Sequence, residues 1–175
     1  MLIVRICIVF VTCYIVSCGS HSTKTTVKNV NYDSLREPLI NANKLYVKKE
    51  SDEIDQYVKF KGWNMITTGT GVRYMIYKNG EGPLAQVKQK AKINYKVSLL
   101  SGKLCYSSDS LGPKTFTIGE DHVETGLHEA LTYMRVGDKA LIILPSHLAF
   151  GFVGDNSKIP PRTSILYDIE LLSLR

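Results

Sequence analysis

The sequence predicts an α+β fold in which about five antiparallel strands surround one short helix, after an α-helical N-terminal segment. Three observations support this prediction. Apolar residues recur at spacings of three and four between Leu35 and Lys61, as they do on one face of a helix. From Gly71 onward, short β-prone runs alternate with turn signals. A single helical stripe, from Val123 to Met134, interrupts those runs.

Residues 1–17 are typical of a lipoprotein signal peptide. Arg5 precedes an apolar run over residues 6–16, which is too short for a transmembrane helix of about 20 residues. The chain continues as Ile15-Val16-Ser17-Cys18-Gly19. This motif resembles the bacterial lipobox, in which the chain is cut before the cysteine and the cysteine is acylated. The resemblance implies a lipid anchor on Cys18, and the alternative is an ordinary signal peptide in which that cysteine has no role.

Removal of the predicted signal peptide changes the functions that the four cysteines and the formal charge of +6 indicate. Cleavage removes Cys7, Cys13 and Arg5, and acylation occupies Cys18. Cys105 is then the only free thiol, so the sequence predicts neither an intrachain disulfide nor a cysteine metal site. The remaining basic excess forms no basic motif. We therefore expect no nucleic-acid partner, and proximity to an anionic membrane suffices to explain the charge.

Between the leader and the β-rich region, the sequence predicts a flexible tether at residues 18–34 and a helical segment at residues 35–62. A first helix is expected to begin near Arg36, because Pro38 is tolerated only in a first turn. A second is expected to begin at the N-cap Ser51 and to end at Gly62. The expected apolar face contains Leu35, Leu39, Ala42 and Tyr46. The expected solvated face contains Lys48, Lys49, Glu50, Asp52, Glu53, Asp55, Lys59 and Lys61.

Residues 63–175 are predicted to form one β-rich domain. The expected strands are residues 72–77, 91–100, 103–107, 114–118, 139–144 and 164–174. Turns rich in glycine and proline separate them, and Ser101-Gly102 is a tight-hairpin signal. The helical stripe consists of Val123, Leu127, Ala130, Leu131 and Met134. It is expected to cover the sheet, with Leu131 and Met134 as core residues.

The C-terminal third contains the motifs that narrow the fold class. They are Met134-Arg135-Val136-Gly137-Asp138-Lys139-Ala140, Leu144-Pro145, Leu148-Ala149-Phe150-Gly151, Ile159-Pro160-Pro161 and Ile165-Leu166-Tyr167-Asp168-Ile169-Glu170-Leu171-Leu172. Upstream, Ile93-Asn94-Tyr95, Tyr106-Ser107-Ser108 and Phe116-Thr117-Ile118-Gly119 follow in order. Together these blocks resemble the FKBP-type peptidyl-prolyl cis/trans isomerases over about residues 71–174. The lipobox and the helical segment further resemble the lipoprotein branch that is associated with bacterial gliding motility.

This resemblance implies an FKBP-like fold, a twisted antiparallel β-sheet wrapped around a short helix, with an aromatic pocket between them. It also implies catalysed rotation about X-Pro bonds. Uncatalysed rotation meets a barrier of about 18–20 kcal/mol, because resonance keeps the amide planar. An apolar pocket disfavours the charge-separated resonance form and thereby favours the twisted transition state. Because no covalent bond changes, neither a cofactor nor a metal is expected.

The resemblance also assigns the residues of the pocket. Its apolar walls and floor are Tyr95, Phe116, Val123, Leu127, Ile159 and Tyr167. The resemblance adds three further positions to the pocket. Tyr106 lies where the family usually has Phe, and Phe150 lies where it usually has Tyr. The third is Glu124, whose backbone N–H is expected to donate a hydrogen bond to a substrate carbonyl. Residues 152–158 are expected to overhang the pocket. Taken singly, each apolar residue has ordinary core packing as its alternative role.

One departure from the family pattern is expected to weaken activity or ligand binding. Ser107 occupies the place of an acidic residue, and Asp109 replaces that acid only if its loop shifts. Lys114 lies near a position that is often aromatic.

Two functions follow from these expectations. The first is a membrane-tethered prolyl isomerase that assists the folding of exported or envelope proteins and acts on proline-containing polypeptides. The alternative is a non-catalytic FKBP-like chaperone or a component of an envelope or gliding machinery. In that case residues 35–61 offer an interaction surface or a homodimer contact. No acidic cluster follows Cys18, which favours a lipid-anchored protein of the outer membrane that faces the periplasm.

Overall fold

The structure is a computed structural model that describes residues 32–175, with side chains from Arg36 onward. The predicted signal peptide, Cys18 and residues 18–31 of the predicted tether lie outside the described residues. The first helix, α1, spans Tyr32–Lys61. The last three positions of the predicted tether are therefore helical. Within residues 32–175, no helix is long and apolar enough to cross a membrane.

Helix α1 is one continuous helix of 30 residues, so the prediction of two helices is wrong. The helix continues through Pro38, in its second turn, at the cost of the one hydrogen bond that the proline nitrogen cannot donate. Ser51 is not an N-cap, because it lies inside the continuous helix. Its hydroxyl instead accepts a hydrogen bond from Nη2 of Arg73 at 2.6 Å. The helix ends before Gly62, as predicted, and this glycine has the left-handed φ of +67° that favours its residue type.

The expected apolar face of α1 is mostly not buried in this chain. Leu39 is 61% exposed and Ala42 is exposed, whereas Tyr46 is half-buried. Further along the helix, Ile54 is completely buried. The apolar spacing thus predicts the helix correctly but not the surface by which its first half contacts the rest of the chain.

Seven antiparallel strands and two further α-helices follow in the described residues. They are β1 (Ile66–Thr67), β2 (Arg73–Lys78), β3 (Lys90–Leu99), β4 (Leu104–Ser107), α2 (Ser108–Leu111), β5 (Lys114–Thr117), α3 (Thr125–Leu131), β6 (Lys139–Leu144) and β7 (Ile165–Leu174). The sheet order is β1-β2-β6-β7-β3-β4, and β5 pairs with β3. Six strands begin and end within one residue of the prediction. The two-residue β1 and the single-turn α2 are too short to produce a period in the sequence.

The core lies between the sheet and α3. Alternate residues of β7 face this core, from Ile165 through Tyr167 to Leu171. Leu131 and Met134 are completely buried, which confirms their predicted place in the core. Helix α3 packs closely on β6, since a Cβ atom added at Gly126 would lie 2.7 Å from a side-chain carbon of Leu144. This architecture confirms the α+β prediction.

Buried polar contacts join α1 to the domain, within the compact unit Pro38–Arg175. Glu50 is only 5% exposed, so its predicted place on a solvated face is wrong. Its carboxylate accepts hydrogen bonds from Ser146 N at 2.8 Å, Ser146 Oγ at 3.0 Å and Ser164 Oγ at 2.6 Å. These three donors compensate the loss of water around the carboxylate.

A second polar contact lies one turn further along α1. Arg73 of β2 is 3% exposed, and its Nη2 donates to Asp55 Oδ1 at 2.9 Å. Its Nη1 donates to the carbonyl oxygen of Gly71 at 2.6 Å. The guanidinium is therefore buried with its hydrogen bonds made, which fixes the second half of α1 against β2.

Candidate active site

The apolar side chains predicted to form the pocket come together in the structure. Those most deeply buried are Phe116 of β5, Leu127 of α3, Tyr167 of β7 and, in the connection between β6 and β7, Ile159. The partly buried ones, Tyr95, Tyr106, Val123 and Phe150, pack against the same cluster. Residues from four strands, one helix and two loops thus lie in or against one hydrophobic core cluster. The buried members also serve the core, which was the alternative role for each of them.

Glu124 and Tyr167 form a polar contact inside this cluster. The Tyr167 hydroxyl donates to Glu124 Oε1 at 2.9 Å, and the ring centroids of Tyr95 and Tyr167 lie 6.5 Å apart. Burial, followed by the charge of Glu124, raises the pKa of Tyr167 well above its usual value. The same causes, in the same order, raise the pKa of Tyr95. Both tyrosines therefore keep their hydroxyl protons at neutral pH.

The backbone of Glu124 forms the N-cap of α3. Glu124 precedes α3 with φ −59° and ψ 133°, and its carbonyl accepts hydrogen bonds from the N–H groups of Leu127 and His128. Among residues 32–175, no acceptor pairs with the Glu124 N–H. That this N–H binds a substrate carbonyl stays a prediction.

The loop at residues 152–158 is fastened to β4 by contacts that the sequence did not predict. The Tyr106 hydroxyl donates to the carboxylate of Asp155. Asp155 Oδ1 in turn accepts hydrogen bonds from Ser157 N at 2.9 Å and Ile159 N at 2.8 Å. Lys158 Nζ lies 5.1 Å from the centroid of the Tyr106 ring. The sequence Asp155-Asn156-Ser157 is a recognisable turn signal, because aspartate often bonds the backbone N–H two residues on.

The structure also resolves the question of the missing acid. Ser107 is buried, and its Oγ accepts a hydrogen bond from Asp109 N at 3.0 Å. The Asp109 carboxylate is exposed and pairs with Lys96 Nζ at 3.2 Å. The Asp109 carboxylate is therefore directed to Lys96, and the acidic side chain that contacts Tyr106 is Asp155. The pairing with Lys96 also holds the pKa of Asp109 below its usual value.

The described residues contain no group of three side chains arranged to hold a metal ion. Cys105 is buried as a free thiol, and burial raises its pKa. A thiol in this protonated state is a poor nucleophile and a poor ligand.

The family model for FKBP-type peptidyl-prolyl cis-trans isomerases matches residues 82–172, which is just over half of the chain. The chain belongs to this family. The 22 kDa FKBP-type peptidyl-prolyl cis-trans isomerase of Escherichia coli K12 is 30% identical over 122 residues, which cover 69% of this chain and 57% of that protein. The isomerase FkpA of the same strain is 31% identical over 122 residues, covering 69% of this chain and 43% of FkpA. The chain thus spans about half the length of these curated relatives.

Solved structures give the same family. The crystal structure of FkpA from E. coli has a TM-score of 0.63 and 25% identity, covering 82% of this chain and 70% of that chain. The crystal structure of AtFKBP13 has a TM-score of 0.61 and 29% identity, covering 64% of this FKBP-type chain and 99% of that chain. These similarities confirm the predicted FKBP-like fold and family.

The contacts of Asp155 lead to a pH-dependent prediction for this FKBP-type domain. Burial raises the pKa of Asp155, but the hydrogen bonds from Tyr106, Ile159 and Ser157 outweigh it and leave the pKa below the usual value. A depressed pKa stabilises the folded state above the usual value of about 3.8, and this contribution disappears as pH falls through the folded pKa. We expect Asp155→Asn to be less stable than the wild type at pH 6 in urea unfolding. The difference should shrink below pH 4, and a constant difference down to pH 2.5 would contradict the assignment.

Proposed function

We propose that the protein is a peptidyl-prolyl cis-trans isomerase that acts on proline-containing polypeptides during the folding of exported or envelope proteins. The observation that carries this proposal is the convergence of the aromatic and aliphatic cluster with the free N–H of Glu124, in a chain of the FKBP family. An apolar enclosure beside a single directed donor is the arrangement that X-Pro rotation needs.

The proposed mechanism uses binding alone. Leu127, Phe116 and Tyr167 are at most 3% exposed in the free protein, so the substrate proline must displace their cover to pack against them. Once it is packed there, water no longer stabilises the charge-separated amide. The Glu124 N–H holds a substrate carbonyl, so that one side of the rotating bond is fixed. The twisted amide, which has lost its resonance, is bound better than the planar one, and the barrier falls. No bond is made or broken, and no cofactor takes part.

An isomerase assay tests this proposal. A peptide of the Ala-Leu-Pro type, observed by protease coupling or by NMR exchange, should interconvert measurably faster at micromolar protein. Uncatalysed exchange takes roughly tens to hundreds of seconds, so even modest acceleration is visible. Exchange at the uncatalysed rate would exclude the isomerase.

A non-catalytic chaperone or a component of an envelope machinery is the second candidate. Leu127, part of the predicted pocket floor, is 0% exposed, and the Glu124 carboxylate lies within the same cluster, so the pocket floor is covered in the free protein. Lys114 and Ser107, at the family's pocket positions, also favour the non-catalytic alternative. Under this alternative, a pocket-dead variant should rescue a deletion strain as well as the wild type does. Failure of rescue would favour catalysis.

We further propose that the mature protein is a lipoprotein anchored through Cys18 in the outer membrane and facing the periplasm, as in the gliding-associated branch that it resembles. The lipobox sequence Ile15-Val16-Ser17-Cys18 supports this proposal. Cys18→Ala should move the protein from the membrane fraction to the soluble fraction, since acylation could then not occur. Unchanged membrane association would contradict the anchor.

Homodimerisation through α1 is a separate proposal. Leu39 is 61% exposed, and Ile40, Leu45 and Val47 are also exposed on the same helix. Burial of these side chains in a dimer would be favourable by roughly 25 cal/mol for each Å² of apolar surface removed from water. Sedimentation equilibrium should give twice the monomer mass for the wild type and the monomer mass for Leu39→Ser combined with Leu45→Ser. A monomeric wild type would refute the proposal.

A further inference from the structure

The pocket contains one side chain that an apolar proline site does not require, the carboxylate of Glu124. Its Oε1 accepts the hydroxyl hydrogen of Tyr167 at 2.9 Å. Its Oε2 is shielded from solvent and has no hydrogen-bond partner among the described residues. A shielded acceptor without a partner is unfavourable, and more so when it belongs to a charged group.

No lysine or arginine of residues 32–175 forms an ion pair with this carboxylate. The four ion pairs found there join Lys49 to Glu53, Arg73 to Asp55, Lys96 to Asp109 and Lys139 to Glu170. The charge of Glu124 acts on the hydroxyls of Tyr95 and Tyr167, and both remain neutral because burial and Glu124 raise their pKa values. The carboxylate therefore has no ion-pair partner, and the shielding of Oε2 from solvent leaves it weakly screened.

In the proposed isomerase, the substrate backbone passes close to this charge. The free N–H that receives the substrate carbonyl and the carboxylate belong to the same residue. The residues that flank the bound proline consequently lie within a few ångströms of Glu124, within reach of a lysine or arginine side chain. This step rests on the proposed function.

We propose that Glu124 makes the pocket selective for proline segments in which a lysine or an arginine flanks the proline. A cation beside the bound proline compensates the carboxylate, whereas an aspartate or glutamate there is repelled. Selectivity then comes from attraction and repulsion together. Because Oε2 is shielded from solvent, the charge acts over several ångströms without direct contact.

Three matched peptides test this proposal. They have the form Ala-Xaa-Pro-Phe with lysine, glutamine or glutamate at Xaa, and a second set varies the residue after the proline. We expect the wild type to bind the lysine peptide about tenfold more tightly than the glutamate peptide in at least one set, by NMR titration at low salt. The ratio of kcat/KM values should follow the ratio of Kd values.

Glu124→Gln and Glu120→Gln form a matched pair of variants. Glu124→Gln keeps an oxygen for the Tyr167 hydroxyl and removes the charge, so the ratio should fall below about threefold. Glu120 is an exposed acid in the preceding loop, and Glu120→Gln should keep the wild-type ratio. Equal affinities for the lysine and glutamate peptides in both sets, or a ratio that Glu124→Gln does not lower, would overturn the proposal.

The glutamine peptide separates this proposal from the proposed function. If it is bound and isomerised while the charged peptides do not differ, the selectivity is wrong and the isomerase stands. If it is bound but not isomerised, the isomerase fails, and the Kd ratio still decides the selectivity. If no peptide is bound or isomerised, both proposals fail.

Discussion

Glu50→Ala is expected to lower the free energy of unfolding by about 2–4 kcal/mol, the largest effect on stability among the substitutions considered. The carboxylate is the acceptor for Ser146 N, Ser146 Oγ and Ser164 Oγ. An alanine leaves a buried backbone N–H and two hydroxyls without this acceptor. Urea unfolding followed by circular dichroism measures the change.

Two further variants on α1 serve as controls. Glu53 is 61% exposed and pairs with Lys49 at 3.7 Å, so Glu53→Ala should change the stability by less than about 0.5 kcal/mol. Glu50→Gln keeps one oxygen acceptor and should fall between Glu50→Ala and the wild type. If Glu50→Ala is no less stable than Glu53→Ala, the three hydrogen bonds do not hold the helix to the domain.

The largest expected effect on activity belongs to Phe150→Ala, which should reduce kcat/KM at least about tenfold. Its ring packs against the cluster of Leu127 and Tyr167 beside the proposed proline site. Truncation opens that wall to water and removes apolar contact with the twisted amide. About 1.4 kcal/mol less transition-state binding corresponds to a tenfold loss, and a buried aromatic side chain contributes that much or more.

Phe60→Ala is the matched control for this activity prediction. Phe60 lies near the end of α1, is 83% exposed and has Lys61 Nζ at 5.9 Å from its ring centroid. Its truncation should leave kcat/KM within about twofold of the wild type. Urea unfolding of both variants shows whether the fold is intact. Equal activity of Phe150→Ala and the wild type would reject the pocket assignment.

The strands could be predicted from sequence because their signals are local. Alternating buried residues, as in Ile165, Tyr167 and Ile169 of β7, define a strand within a few positions. Turn glycines such as Gly102, with φ +90°, define where it ends. The apolar pocket residues were predicted from the resemblance to the FKBP family. They lie in or against one hydrophobic core cluster, and their role in a pocket stays a prediction.

The missed features depend on partners that are distant in the sequence. Glu50 follows a lysine pair in a charged run, and its burial depends on Ser146, which lies 96 positions away. Asp155 contacts Tyr106 across 49 positions. Neither the periodicity of apolar residues nor the spacing of motifs predicts such contacts, because the contacts exist only after the sheet has formed. The single helix α1 escaped prediction for a similar reason, since docking by Glu50 and Arg73 outweighs the local signals at Pro38 and Ser51.

The two serines bound by Glu50 lie at the two ends of the connection between β6 and β7. Ser146 lies two residues after Leu144, the last residue of β6, and Ser164 directly precedes Ile165, the first residue of β7. The Glu50 carboxylate on α1 therefore binds both ends of the β6–β7 connection, which contains Phe150, Asp155 and Ile159. Docking of the helix and order in this loop stabilise each other by linkage. A force that pulled α1 away from the sheet would break these hydrogen bonds and release both ends of the β6–β7 connection. Tension on the N-terminal segment would therefore be transmitted to the proposed pocket residues of that connection, Phe150 and Ile159.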